Sequence, residues 1–443
     1  MENKQKFYLK CKKCGHRIDT FQEWFTVKQH CPKCACPQAD VIYLESMENL
    51  RELVADKNAT LKNVWHYFKF LPLLNSENVV SFGGEGVVPI NHWEFLEEYA
   101  KQRYNIHIKV YAHRNDLHRA TGTFKDLAGT VVASVLKENN VKQYVAASTG
   151  NIGTAYSCYL AKAGISATVF IPDSSIKAQE SEISSFGQTV VRTKGDYAFA
   201  KTVAKNFADK HNIILTGGNF DPMRIEAKKT MVYEWLRVLP EFPTVFMQAI
   251  SGGSGPLGIA KASAELDGLG FFSKMPRFIL PQPHRCAPMV EAWEKAKSEK
   301  FPEGWENNYP VYDNPQTTIR TLATGNPTAY PALAPVVKLS GGEIISCVEE
   351  KTFDVTRYIA YKCGVRIGPA AAITVVGFFQ ALREKQIVDG DVVMLNIGEG
   401  VGRSPEYVEQ LAYTSQTVDN VDDCKLIDRK IYEQQLLKEI DSI

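Results

Sequence analysis

Short apolar runs alternate with helix-spaced apolar positions along most of this chain. The runs are rich in β-branched and aromatic residues, which is typical of buried strands. The predicted strands cover residues 108–111, 144–147, 167–171, 189–192, 245–250, 278–280 and 391–397. Alternation of strands with helices favours parallel sheets with helices on both faces, so the pattern predicts an α/β fold.

The two ends of the chain depart from this alternation. Residues 47–80 have the pattern of a helix followed by an irregular linker, and the chain from about residue 406 is polar. Near the C-terminus, Ile431, Leu436, Leu437 and Ile440 recur at helical spacing, which predicts a final amphipathic helix. We find no internal repeat and no low-complexity tract in the sequence.

Length and charge narrow the class of protein. A chain of 443 residues suits two or three modules, and its 44% hydrophobic content can build a large core. The net charge of +1 gives no bias toward nucleic acid or an anionic membrane. No apolar stretch is long enough to span a bilayer, and no apolar signal region follows the first residues. We therefore expect a cytoplasmic protein with neither nucleic acid nor membrane as a partner.

Five of the ten cysteines lie within the first 36 residues. Cys11 and Cys14 form one Cys-x-x-Cys pair, and Cys31 and Cys34 form a second pair after sixteen intervening residues. Such pairs can place four thiolates around one zinc ion, so residues 1–46 are predicted to be a structural zinc ribbon. Cys36 is an alternative to Cys34 as the fourth ligand. Four sulfur ligands leave no open position for catalysis.

The segment His118-Arg-Ala-Thr-Gly-Thr-Phe-Lys125-Asp126 places a lysine at the predicted start of a helix. If a cleft buries its ammonium group, desolvation lowers the pKa of Lys125 and the free amine can attack a carbonyl carbon. The segment alone is equally compatible with a solvated lysine at a helix start.

Two glycine-containing turns strengthen the chemical interpretation. Ser148-Thr149-Gly150-Asn151 follows one predicted strand, and Ser251-Gly252-Gly253-Ser254-Gly255 follows another. Each turn precedes a helix pattern, and backbone N–H groups at a helix N-terminus suit anions. Glycine lets the backbone approach a phosphate closely. A lysine followed by two such turns predicts a cleft that binds anionic ligands.

These motifs resemble those of the threonine synthase family, within the fold-type-II enzymes that use pyridoxal 5'-phosphate. The similarity runs from about residue 84 to about residue 405. It rests on the segments Gly122-Thr123-Phe124-Lys125-Asp126, Ser148-Thr149-Gly150-Asn151, 224–230, Gly325-Asn326-Pro327 and 369–372. The resemblance implies a two-lobed fold, similar to the tryptophan synthase β chain, with the cofactor between the lobes. Some threonine synthases also carry an N-terminal zinc ribbon.

The resemblance implies roles for individual residues. Lys125 would be the Schiff-base lysine and the general base, and Asn151 would hydrogen-bond the 3'-oxygen of the cofactor. The turn from Ser251 through Gly252, Gly253 and Ser254 to Gly255 would hold the cofactor phosphate. The expected substrate contacts are Ser148, Thr149, Gly150 and Asn326.

The chain departs from the family's segments at several positions. Leu127 stands where the family has arginine, and Lys228 stands where it has glutamine. The threonine that contacts the pyridine nitrogen falls on Gly398, beside Glu399, so we expect Glu399 to be a candidate partner of that nitrogen. Further expected anion binders on the substrate side are Arg224, Lys228, Arg320 and Arg403.

The predicted organisation has four parts. Residues 1–46 form the ribbon, 47–139 the first part of the large lobe with the Schiff-base lysine, 140–200 the small lobe, and 201–443 the rest of the large lobe with the tail. Family members are commonly homodimers, so the resemblance implies a homodimer here.

The sequence leaves three reactions of amino-acid metabolism open. In a threonine synthase, O-phosphohomoserine reacts with water to give threonine. The departures from the family's segments suggest a rebuilt anion site on the substrate side, and with it an alternative to threonine synthesis: cysteate synthesis from O-phosphoserine and sulfite. Deamination of serine or threonine is the third, and a binding protein without catalysis is a different class altogether. Retention of Lys125, Asn151 and the 251–255 turn argues against that last class.

Overall fold

The computed structural model describes residues 5–57, 60–148 and 150–443. Thr149, one of the predicted substrate contacts, lies outside the described residues. The strands are β1 (Phe7–Cys11), β2 (Arg17–Ile18), β3 (Ala39–Tyr43), β4 (Ile90–His92), β5 (Lys109–His113), β6 (Gln143–Ala147), β7 (Ser166–Pro172), β8 (Thr189–Thr193), β9 (Ile214–Leu215), β10 (Val245–Met247), β11 (Arg277–Pro283), β12 (Glu343–Cys347) and β13 (Val392–Asn396).

The α-helices connect and cover these strands. They are α1 (Phe21–Thr26), α2 (Leu50–Ala55), α3 (Glu94–Tyr104), α4 (Lys125–Glu138), α5 (Asn151–Lys162), α6 (Lys177–Ser185), α7 (Tyr197–His211), α8 (Pro222–Val238), α9 (Ser254–Leu266), α10 (Pro288–Ser298), α11 (Tyr330–Ser340), α12 (Lys351–Cys363), α13 (Pro369–Arg383), α14 (Pro405–Glu409) and α15 (Arg429–Asp441).

A six-stranded sheet forms the large lobe, in the order β12-β11-β10-β13-β5-β4. All neighbouring strands are parallel except β4, which pairs antiparallel with β5 at the edge. The central strand β13 is buried along its whole length, as expected for a parallel sheet with both faces covered. The α/β architecture predicted from the alternating pattern is confirmed.

A four-stranded parallel sheet forms the small lobe, in the order β8-β7-β6-β9. It extends past the predicted 140–200 boundary, because β9 pairs with β6. Residue 200 lies inside α7, a helix that packs its buried alanines against the same sheet. A two-residue strand leaves no periodic pattern in the sequence. The predicted end of the small lobe at residue 200 therefore lies too early in the chain.

The N-terminal segment forms a small antiparallel sheet in the order β2-β1-β3, joined by α1. Its apolar side chains share one hydrophobic core with α4 and α8 of the large lobe. The ribbon is therefore packed onto the large lobe.

The predicted C-terminal helix is present as α15. Leu436 and Ile440 are buried and pack into the large-lobe core, while Ile431 is exposed. Among the described residues, none of the helices combines the length and the apolar character that a membrane crossing requires.

Candidate active site

A cleft of about 350 Å³ lies where the two sheets face each other. Both lobes line it. The small lobe contributes the end of β6, the start of α5 and the segment after β9, and the large lobe contributes the ends of β10 and β13 and the start of α9. Clefts at the carboxyl ends of parallel strands are the usual ligand sites of open α/β folds.

Lys125 is the first residue of α4 and faces this cleft. Burial lowers the pKa of Lys125 to about 7, the positive charge of Arg224 adds to the shift, and Glu399 opposes it. The Nζ atom lies 3.8 Å from the centre of the Phe124 ring. A large fraction of the amine is therefore unprotonated near neutral pH, which a nucleophilic or basic lysine requires.

The turn before α4 is fixed by a buried carboxylate. Asp126 accepts hydrogen bonds from the backbone N–H groups of Ala120 and Thr121 and from the Thr121 hydroxyl. Gly122, within this turn, has a positive φ of 66° that suits glycine. The Phe124 N–H group donates to the carbonyl oxygen of Gly398 at 3.1 Å, which docks the turn against the end of β13. The position of Lys125 is thus fixed by Asp126 within the turn and by the contact with Gly398 at the end of β13.

Residues 251–255, which we call the cradle, form a tight turn into helix α9. A Cβ atom on Gly252 would lie 2.1 Å from the Asn219 side chain, and one on Gly255 would lie 2.5 Å from the Gln248 side chain. Gly253 has a φ of 81°. These positions require glycine, and the N-terminus of α9 at Ser254 supplies N–H groups for an anion. The cradle fits the phosphate of pyridoxal phosphate.

Two buried cations on α8 approach the cradle. Lys228 Nζ donates to Ser254 Oγ at 2.6 Å, and Arg224 Nη2 donates to the same oxygen at 3.4 Å. Arg224 Nε is buried and has no hydrogen-bond partner among the described residues. Burial and the nearby charges of Arg224 and Lys125 hold the pKa of Lys228 well below its usual range. The charge of Asp221 opposes this shift only in part, so the site favours binding of an anion at the cradle.

Helix α8 is positioned by its first residues. Asp221 Oδ1 accepts a hydrogen bond from the Met223 N–H group at 2.9 Å, and Pro222 occupies the first helical position. Proline is favoured there because its ring fixes φ and no N–H group is lost to the helix. The helix is buried along nearly its whole length, with Arg224 lining the cleft and Lys228 reaching Ser254 of the cradle.

The side chains of Asn151 and Glu399 meet in the wall of the cleft. Asn151 Nδ2 donates to Glu399 Oε2 at 2.6 Å, and the Ala370 N–H group donates to Glu399 Oε1 at 2.8 Å. Glu399 is buried, and burial raises its pKa above the usual range. The carboxyl group therefore faces the cleft rather than solvent, beside Gly398.

The structure brings most of the predicted site residues together. Those that line the cleft are Lys125, Gly150, Asn151, Arg224, Ser251, Gly252, Gly253, Ser254, Gly255, Asn326, Gly398 and Glu399. Lys228 touches the cleft through Ser254. The buried Asn326 Oδ1 has no partner among the described residues, so it is available to a ligand.

Three other predicted substrate contacts have different partners here. The Ser148 hydroxyl accepts from the Gly150 and Gly153 N–H groups and closes its own turn. Arg320 Nη1 donates to the carbonyl oxygen of Thr317 at 3.2 Å. Arg403 bonds to side chains of the small lobe instead of reaching into the cleft. Their expected contacts with substrate remain predictions.

Lys201 is a cleft residue that the sequence patterns did not reveal. It lies on α7, and burial lowers its pKa while the charge of Asp196 offsets part of that shift. Other polar residues that line the cleft and were not predicted from the sequence are Tyr156, Tyr197, Asn219, Gln248, Thr321, Thr374 and Asn396. A lysine at one helical position carries no local signal, since its exposure depends on how α7 packs against the sheet.

The four predicted zinc ligands converge in the ribbon. The Sγ atoms of Cys11, Cys14, Cys31 and Cys34 all lie within 4.8 Å of one another. Cys36 Sγ points to the carbonyl oxygen of Gln38 instead. Four thiolates at such distances are the donor set that structural zinc prefers, so the cluster could hold zinc.

Comparison with known proteins agrees with this geometry. Residues 82–398 match the family described as pyridoxal-phosphate dependent enzyme. The chain is 26% identical to the threonine synthase of Methanocaldococcus jannaschii over 399 residues, which cover 88% of this chain and 92% of the relative. It is 24% identical to the cysteate synthase of Methanococcoides burtonii over 447 residues, covering 98% of this chain and 99% of the relative. The resemblance to this pair of enzyme groups is confirmed.

A solved structure shows the same fold. Diaminopropionate ammonia lyase from Escherichia coli superimposes with a TM-score of 0.61 at 15% identity, covering 83% of this chain and 92% of the lyase. The two-lobed fold type II is thereby confirmed, and the family implies pyridoxal phosphate as the cofactor. Since the family match covers most of the chain, this protein belongs to the family of pyridoxal-phosphate dependent enzymes.

Proposed function

We propose that the protein acts as a threonine synthase: O-phosphohomoserine and water give threonine and inorganic phosphate. One observation carries the proposal. Apart from Lys125, positively charged side chains border the cleft in two places: the buried Arg224 and Lys228 at the cradle, and the half-buried Lys201 with the exposed Lys205 on α7. The cofactor has a single phosphate, so a second cation suits the phosphate of the substrate.

Pyridoxal phosphate, when bound, supplies an electron sink for the pair left as the Cα–H bond of the substrate breaks. Residues 251–255, with Arg224 and Lys228 behind them, would hold its phosphate. Lys125 would anchor its aldehyde carbon covalently, and Asn151 would bond the ring's 3'-oxygen. The tight glycine turn and the orphaned Arg224 Nε are the features of this chain that fit the group.

Lys125 is the residue that moves protons. Its free amine would take the proton from the substrate's Cα. A pKa of about 7 suits this role, because a general base works best when its pKa lies near the operating pH. The charge of Lys201 stabilises the phosphate as it leaves, and an anion at this position raises the pKa of Lys201 again.

Cysteate synthesis is the second candidate. In that reaction O-phosphoserine and sulfite give cysteate and inorganic phosphate. The cysteate synthase relative aligns along nearly the whole chain, including the ribbon, which supports this candidate. The contacts of Arg320 and Arg403 weaken it, because two of the cations expected to hold a second anion have other partners.

The deciding experiment measures phosphate release from the purified protein. The protein is incubated with O-phosphohomoserine or with O-phosphoserine, each with and without sulfite, and the products are identified by mass spectrometry. We expect phosphate and threonine from O-phosphohomoserine alone. Sulfite-dependent cysteate from O-phosphoserine would replace the proposal with the second candidate. Ammonia and a 2-oxo acid would indicate a dehydratase.

A companion measurement tests the cofactor site. The unmodified protein should carry a chromophore that absorbs in the visible, and Lys125→Ala should lose that absorbance. Retained absorbance in the variant would remove Lys125 from its proposed role.

We also propose that Cys11, Cys14, Cys31 and Cys34 hold one structural zinc ion. Metal analysis of the purified chain should give one zinc per chain, falling in Cys14→Ser. The homodimer stays a prediction that light scattering can check.

A further inference from the structure

The ribbon contacts the two helices that build the cradle. The Tyr43 hydroxyl donates to Glu226 Oε2 of α8 at 2.8 Å, and Lys261 Nζ of α9 donates to the carbonyl oxygen of Val41 at 3.0 Å. Helix α8 carries Arg224 and Lys228, and α9 begins at Ser254. The last strand of the ribbon therefore lies behind the residues that face the cofactor phosphate.

A second contact comes from the turn just before Cys31. Lys28 and Gln29 both have positive φ values, 52° and 59°, which side-chain-bearing residues rarely adopt. The Gln29 N–H group donates to the carbonyl oxygen of Trp24 at 2.8 Å. This strained turn directs the Gln29 side chain away from the ribbon, where it is buried against the small lobe.

Gln29 Nε2 donates to the carbonyl oxygen of Leu215, at the end of β9. Gln29 Oε1 faces Gly217, where an added Cβ atom would lie 3.2 Å from it. The ribbon thus holds the start of residues 216–220, which line the cleft. We call residues 216–220 the cleft loop.

The cleft loop in turn holds the cradle. The carbonyl oxygen of Gly218 accepts a hydrogen bond from Arg224 Nη1 at 2.7 Å. The Asn219 amide packs against Gly252, where an added Cβ atom would lie 2.1 Å from Nδ2. A displacement of the loop would therefore move both the cation and the turn that face the phosphate.

We infer that Gln29 is a positioning residue through which the metal-bound ribbon sets the cleft loop and the cradle, so that metal occupancy and cofactor affinity are coupled. Closure of the ribbon by four thiolates fixes Cys31 and, two residues earlier, the direction of Gln29. The inference rests on the proposed zinc ion and on the cofactor that the family implies, and it is independent of the identity of the substrate. Such coupling is reciprocal, since binding at either site stabilises the same arrangement.

The test uses the full chain loaded with zinc and pyridoxal phosphate. Gln29→Ala removes both side-chain contacts, and Gln29→Glu keeps an acceptor but removes the donor to Leu215. Gln22→Ala is the matched control, because Gln22 is an exposed glutamine of the same ribbon. Cofactor affinity is measured by titrating the apo-protein and following the visible absorbance, with zinc content determined in parallel.

Loss of one buried hydrogen bond should weaken cofactor binding about three- to tenfold in both Gln29 variants. Zinc content should stay at the unmodified level, and Gln22→Ala should bind the cofactor normally. Removing zinc with a chelator should weaken cofactor binding in the unmodified chain and in Gln22→Ala, and by a smaller factor in Gln29→Ala, where only the contacts of Tyr43 and Lys261 still link the ribbon to the cradle.

Equal cofactor affinity of Gln29→Ala and the unmodified chain, with zinc retained, would overturn the inference. So would an equal chelator effect in both proteins. A merely structural role would lower the melting temperature and leave the cofactor affinity unchanged. Cofactor binding by the unmodified chain tests the proposed function separately, so failures of the two are distinguishable.

Discussion

Lys125 owes its chemistry to its neighbours rather than to its residue type. Burial and the charge of Arg224 lower its pKa to about 7, and the carboxyl group of Glu399 opposes them. Below this pKa the ammonium form dominates and cannot attack an aldehyde; above it the free amine dominates. Cofactor capture by the apo-protein should therefore depend on pH in a way that exposed lysines do not show.

The first prediction follows directly. The rate of cofactor capture by apo-protein should rise with pH through about 7 and then level off. Arg224→Met removes a neighbouring positive charge, so the midpoint should move to higher pH. Stopped-flow absorbance in the visible measures both rates. A pH-independent rate across this interval would contradict the lowered pKa of Lys125.

Lys201 supports a second prediction at this scale. Lys201→Met should raise the KM for the phosphorylated substrate by about 10- to 100-fold, the loss expected for a charge-assisted hydrogen bond. Cofactor affinity should change little, because the cations that contact the 251–255 turn, Arg224 and Lys228, are kept. Lys210→Met is the control, since Lys210 is an exposed lysine of the same helix and is outside the lining of the cleft. Steady-state kinetics that give equal KM values for both variants would contradict the role of Lys201.

Local sequence predicts only some of these residues. Lys125 and the 251–255 turn are visible because each belongs to a contiguous motif whose glycines the geometry requires. Local sequence does not reveal Lys201 and Gln29, since their positions depend on contacts between parts of the chain that are far apart in sequence. The pairing of Gln29 with Leu215 spans 186 residues.

At the scale of elements, the apolar runs predict the buried parallel strands because those strands are apolar along their length. The short strand β9 and the antiparallel ribbon strands lack such runs, and partners distant in the chain define them. The same reason explains why the small lobe extends beyond its predicted end at residue 200.

The segment before α14 joins the two lobes through Arg403. Its guanidinium donates to Asn151 Oδ1 at 3.1 Å and Thr154 Oγ1 at 3.2 Å on α5, and to Glu182 Oε2 at 2.6 Å on α6. Asn151 also reaches Glu399 of the large lobe. This network holds the side chain that would bond the cofactor's 3'-oxygen.

The third prediction concerns this network. Arg403→Ala should increase amide hydrogen exchange in α5 and α6 and lower turnover, while the large-lobe sheet keeps its protection. The reason is that Asn151 and Glu182 lose their shared partner. Arg383→Ala, which removes an exposed arginine of α13, should leave exchange unchanged. Hydrogen exchange measured by mass spectrometry would refute the idea if α5 and α6 were equally protected in both variants.

At the scale of the whole molecule, buried like charges set the relation between stability and cofactor binding. The charge of Arg224 lowers the pKa of Lys125, and the charges of Arg224 and Lys125 both lower the pKa of Lys228. Without an anion, this repulsion and the burial of Lys228 destabilise the folded chain. A bound phosphate compensates both effects, and any ligand that binds only the folded state raises its stability.

The fourth prediction combines these opposing effects. Lys228→Met removes a fully buried cation, so the melting temperature of the apo-protein should stay equal or rise, as observed when apolar residues replace buried charges. The additional stabilisation by pyridoxal phosphate should fall, because the phosphate then has one neighbouring cation fewer. Lys295→Met, at an exposed position of α10, should change neither value. Calorimetry gives the melting temperatures of the three proteins with and without cofactor. A less stable Lys228→Met apo-protein that the cofactor stabilises as much as the unmodified chain would show that Lys228 supports the fold instead of the phosphate.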